Sequence, residues 1–174
     1  MRITKNIKIL SGFVIALTML SCSVATESKE LEVPSQTFSF EDIYEGGNEA
    51  TIVLNMKELI SSAKDIGIES IEDASMKSIT LTKDDSVGFG DIVGAKFMLS
   101  ADNEDIEMVT VGMLTEIEAG AKTITLSLMD NVELGEFLKE ENVYLTMDAN
   151  FNKDLEEVQK INAGIKFDVG VEKQ

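Results

Sequence analysis

Few residues in this chain can carry chemistry, because histidine is absent and cysteine occurs once, at Cys22. Imidazole acid or base catalysis, thiolate triads and zinc held by His or Cys are excluded on composition. Serine beside lysine remains, and so do carboxylates. Ser61-Ser62-Ala63-Lys64 sets a hydroxyl and an amine three residues apart, the helical spacing at which lysine can activate a serine nucleophile. The companion Lys-Thr-Gly and Ser-Asp-Asn elements are missing, since Lys122-Thr123 runs into Ile124, so the four residues read as an exposed helix face. Two carboxylates can hydrolyse a glycoside. With 32 Asp and Glu in the chain, however, no single pair is informative. Sugar sites also lean on aromatic platforms, and this chain has no Trp and only Tyr44 and Tyr144.

Asp148, Asn150, Asn152 and Asp154 alternate as the oxygen ligands of a calcium loop do. Lys153 stands where such a loop turns on glycine and Gln159 where it closes on glutamate. A spacing of two is also the ordinary strand period. Asp102-Asn103-Glu104-Asp105 reads as a polar hairpin turn. The expectation is no catalytic residue, no metal and no cofactor, a carboxylate hydrolase being the enzyme class that composition leaves open.

Cys22 has a chemistry of its own. Arg2, Lys5 and Lys8 make a basic start, and Ile9 to Leu20 follows as twelve uncharged, mostly apolar residues. This is the order of a secretory signal, and it is short of the ~20 residues a membrane span needs. Met19-Leu20-Ser21-Cys22, directly after it, resembles the lipobox of bacterial lipoproteins. The resemblance implies removal of residues 1–21, diacylglycerol on the Cys22 thiol and a fatty acid on the new amino terminus. Ser21 fits that pattern, while Met19 and Leu20 depart from its preferred Leu and small residue. Ser23-Val24-Ala25 offers a second cleavage, which would release a soluble protein starting at Thr26. Ser23 in place of Asp after the lipidated residue points to the outer membrane of a Gram-negative envelope.

Loss of Arg2, Lys5 and Lys8 takes the formal charge from −17 to −20. Nucleic acid is excluded as a partner, because binding it rests on Lys and Arg. Anionic membranes repel such a body, so attachment falls to the acyl chains. Residues 22–36 are polar, hold the single Pro34 and read as a flexible tether, whose 14 residues after Cys22 reach roughly 20 Å as a coil. Residues 37–174 are the length of one domain.

Across that body, apolar and polar residues alternate in runs about a dozen residues apart, as in half-buried antiparallel strands. Val143, Leu145, Met147, Ala149 and Phe151 share one face, as do Ile161, Ala163, Ile165, Phe167, Val169 and Val171. Phe38 with Phe40, Ile52 to Met56, Ile79 with Leu81, Ala95 to Leu99, Val109 to Met113 and Ile124 to Leu128 complete eight strands. Asn55 with Glu58 opens one short helix, and Asp130 with Glu133 a second in which Leu134, Phe137 and Leu138 point inward. The expected architecture is an antiparallel β-sandwich of immunoglobulin-like type, with a lipocalin-like barrel as the alternative. The whole resembles small β-rich bacterial lipoproteins.

In the hairpin of residues 95–101 and 107–113, Phe97, Leu99, Val109 and Val111 face inward, leaving Met98 and Met108 outward and diagonal across the strands. Flexible, polarizable methionine suits adaptable contacts, so Met98, Met108 and Leu114 form the expected partner-binding patch. The competing placement lays the helix after Asn55 over this face and buries both methionines. The functional expectation is a membrane-anchored, non-catalytic interaction or structural module of the cell envelope. A small-ligand carrier with an internal cavity is the alternative.

Overall fold

A computed structural model describes residues 26–84, 87–118 and 120–173, so Cys22 and the signal segment lie outside the described residues. Two antiparallel sheets pack face to face. The first runs in the order β1 (Thr26–Phe40), β9 (Gln159–Glu172), β3 (Ile71–Thr82), β6 (Thr123–Thr125). The second runs β2 (Gly46–Asn55), β8 (Asn142–Phe151), β4 (Ile92–Ala101), β5 (Val109–Leu114), β7 (Ser127–Leu128). The alternation read from the sequence thus forms the expected sandwich, and among the described residues the strands form two open sheets and no closed barrel. The first strand pairs with the last, and consecutive β1 and β2 lie in opposite sheets. With β6 and β7 counted as one strand shared by both sheets, this is the order 1-8-3-6 and 2-7-4-5-6, the double Greek key of a jelly roll, not the ABED and CFG grouping of immunoglobulin domains.

The inward faces meet in one core. Phe38 and Phe97 pack edge to face across the sheets at 6.1 Å, and Phe40 and Phe151 do so at 5.4 Å, geometries favourable beyond area burial alone. Met147, Ile161, Phe167 and Val169 are buried in the same core.

Three elements depart from the sequence reading. Residues 26–36, expected as tether, are the first part of β1: Leu31 and Val33 are buried and pair with Phe167 and Ile165. Pro34 sits at the register shift between Val33 and Gln36, where an edge strand tolerates the missing N–H. The run from Ile124 to Leu128, expected as one strand, serves both sheets. β6 pairs with β3 and β7 with β5, both at sheet edges, while Leu126 between them is buried and donates its N–H to the Ile79 carbonyl. The second helix, α2 (Gly135–Lys139), begins later than Asp130. Glu133 is spent on tertiary structure instead, its Oε1 accepting from the N–H of Ala74 at 2.8 Å and of Gly135 at 2.7 Å. The first helix, α1 (Met56–Ser62), starts as read, Asn55 Oδ1 accepting from the Glu58 N–H at 2.9 Å.

Candidate functional site

Across the outer face of the five-stranded sheet the register builds three rows of side chains. Val53, Tyr144 and Ser100 make the first, Thr51, Thr146, Met98 and Thr110 the second, and Glu49, Asp148, Lys96 and Met113 the third. Each is outward because its chain neighbours, such as Phe97 and Leu99 beside Met98, point into the core. Met108 immediately precedes β5, diagonal to Met98. It is 61% exposed, Val53 52% and Met113 38%, while Met98 is half-buried between Thr110 and Thr146. The helix α1 packs on β1, β2, β8 and α2, so the placement that buried both methionines beneath it does not occur.

Leu114, the third residue of the expected patch, is not on this face. Phe97 pairs with Gly112 but Met98 pairs with Thr110, so Val111 is an extra residue, a β-bulge. The bulge inverts the alternation beyond it. Met113, expected inward, turns to solvent, and Leu114 is buried opposite Ala95. Gly112 allows the close approach of β7, for a Cβ there would lie 3.2 Å from the Ser127 carbonyl oxygen.

Tyr144 and the threonines make the polar part of the face. The Tyr144 hydroxyl donates to Asp102 at 2.8 Å, and this bond, with some desolvation, raises its pKa. Thr51 and Thr146 share a hydroxyl hydrogen bond of 2.9 Å.

The other sequence candidates have structural employment. Ser61 and Ser62 donate to the carbonyls of Glu58 and Leu59, and α1 ends at Ser62, so Lys64 lies beyond the helix and the one-turn relation to Ser61 is not formed. Asp154 accepts from the Glu45 N–H, Asn152 donates to the Gly90 carbonyl, and Lys153 pairs with Asp91 at 2.9 Å. Among the described residues no three His, Cys, Asp or Glu side chains converge as metal ligands.

Lys83 escaped the sequence reading. It is 2% exposed, and its Nζ donates to the Gly88 carbonyl at 2.8 Å. Gly88 has φ of +63° and lies so close to Ala121 that a Cβ would strike its carbonyl. The signal was present: Lys83 takes the next inward position after Ile79 and Leu81.

No family model and no curated protein matches the chain. Among solved structures it is similar to a mud crab tombus-like virus structure, at TM-score 0.32 and 10% identity over 99% of this chain and 95% of that one. Desmodium yellow mottle tymovirus gives TM-score 0.32 and 6% identity over 98% of each chain. Turnip yellow mosaic virus gives 0.30 and 8% over 99% of this chain and 92% of that one.

Proposed function

We propose that this chain is an exported lipoprotein attached through Cys22 to the outer membrane, and that its body is a non-catalytic interaction module that docks a protein partner of the cell envelope on the outer face of the five-stranded sheet. The observation carrying this reading is the exposure of Met108, Val53 and Met113 on a single sheet face. Grouped on one face, such side chains gain burial when a partner covers them. Methionine adapts its shape to the surface it meets. Lys96 lies within the patch, whereas the chain around it is strongly acidic, so a partner with an apolar centre and a basic rim fits best. A filled interior supports docking over the carrier alternative, since Phe38, Phe97, Met147 and Phe167 occupy the space a ligand would need.

The test pairs stability with association. Met98→Ser with Met108→Ser is expected to lower stability by about 1 kcal/mol or less, because neither is a core residue, whereas Met147→Ser should cost roughly 2 to 5 kcal/mol. Chemical cross-linking in intact cells should recover a partner with wild type and lose it with the double variant. A large fall in melting temperature, or unchanged cross-linking, contradicts the docking face.

A further inference from the structure

The start of β1 constrains how the body meets the membrane. Thr26 is already paired, with Glu172, so only Ser23, Val24 and Ala25 separate Cys22 from the folded sheet. Resting on the lipid attachment proposed above, four Cα-to-Cα steps reach at most roughly 14 Å however they are arranged. β1 itself is 15 residues, or roughly 50 Å, long. One end of the sandwich is thus within reach of the headgroups, and the other, with loops 41–45 and 152–158, lies a strand length away from it.

Charge then selects an edge of that end. Where β1 starts, residues 63–67 and the close of β9 frame an open cleft of about 640 Å³ lined by Glu27, Lys29, Lys64, Asp65, Glu172 and Lys173. Lysines equal carboxylates there. In the mature chain as a whole, the fifteen basic residues less Arg2, Lys5 and Lys8 stand against 32 acids. Lys29 is paired to Glu27, but Lys64 and Lys173 enter no ion pair among the described residues. The same end carries the turn after β4, with Asp102, Glu104, Asp105 and Glu107. That turn belongs to the other sheet. β1 packs against β2, and β8 separates β2 from β4, so two strand spacings and the gap between sheets lie between the turn and the anchor. These distances exceed the ~8 to 10 Å over which salt screens charge, so a negative surface acts on the corner and the turn separately.

We infer that the corner formed by the start of β1, residues 63–67 and the end of β9 is the membrane-contacting surface of the anchored protein, with Lys64 and Lys173 meeting the phosphates of anionic phospholipids and the turn at 102–107 tilted away. The docking face is then carried edge-on to the bilayer, open to a partner in the surrounding space.

The test uses full-length lipidated protein in vesicles of phosphatidylethanolamine and phosphatidylglycerol that contain a headgroup-located quencher. Asp65→Cys, Glu104→Cys and Glu157→Cys, each labelled with a fluorophore, should show strong, weaker and no quenching respectively. Quenching at 104 equal to or above that at 65 overturns the tilt, and quenching at 157 overturns end-on attachment. Lys64→Glu with Lys173→Glu should shrink the difference between 65 and 104 at least twofold; an unchanged difference removes the lysines from the interface. Wild-type protein that fails to float with the vesicles overturns the anchor itself, and the orientation with it.

Discussion

Glu30, on the solvent face of β1, lies between Lys166 at 2.8 Å and Lys77 at 3.0 Å, and Lys77 also meets Asp168 at 3.0 Å. Hydrogen bonds from Lys166 and then Lys77 hold the Glu30 carboxyl below its ordinary range, and bonds to Asp168 and Glu30 raise the Lys77 ammonium. All of these groups face water, so their effect is small and salt-sensitive. A carboxyl depressed by folding contributes stability above its unfolded pKa and loses that contribution as pH falls through the folded value. An NMR titration should therefore find Glu30 protonating below the ordinary carboxylate range, and moving up in Lys77→Ala with Lys166→Ala. An ordinary midpoint in wild type would contradict the network. None of this was legible in the sequence, since Glu30 and Lys166 stand 136 residues apart and only the pairing of first strand with last joins them. Met98 and Met108 were legible, because local alternation alone assigns them a face.

β1 shows why an element can be missed. Its first half holds only two buried apolar residues, Leu31 and Val33, between Glu30, Glu32 and a proline, and as an edge strand it has little need of more. Polar composition then imitates a tether. Leu31→Ala separates the two accounts. As a strand residue 3% exposed, its truncation should cost roughly 2 to 5 kcal/mol in denaturant unfolding, whereas a tether residue would cost nothing measurable. Misassignment of Leu114 and Met113 has a different origin. A bulge is one extra residue with no fixed sequence signature, and everything beyond it changes face. β6 and β7 read as one strand because the alternation continues unbroken through Leu126 while the chain passes from one sheet to the other.

At the scale of the molecule, periodicity established the sandwich but not its connectivity, because which strands become neighbours depends on long-range pairing that local patterns do not encode. The jelly-roll order bears on the proposed anchor nonetheless. By pairing first strand with last, it builds Thr26–Phe40 into a sheet and removes most of the expected tether, so under the anchoring proposed above a mature body at −20 sits close to the membrane. That closeness depends on Cys22. Metabolic incorporation of a fatty-acid analogue, followed by mass measurement of the mature protein, is the most direct test of the account. Wild type should carry the label on a chain beginning at Cys22 and sediment with membranes, and Cys22→Ala should carry none. An unlabelled wild-type chain beginning at Thr26, or label that persists in Cys22→Ala, would contradict it.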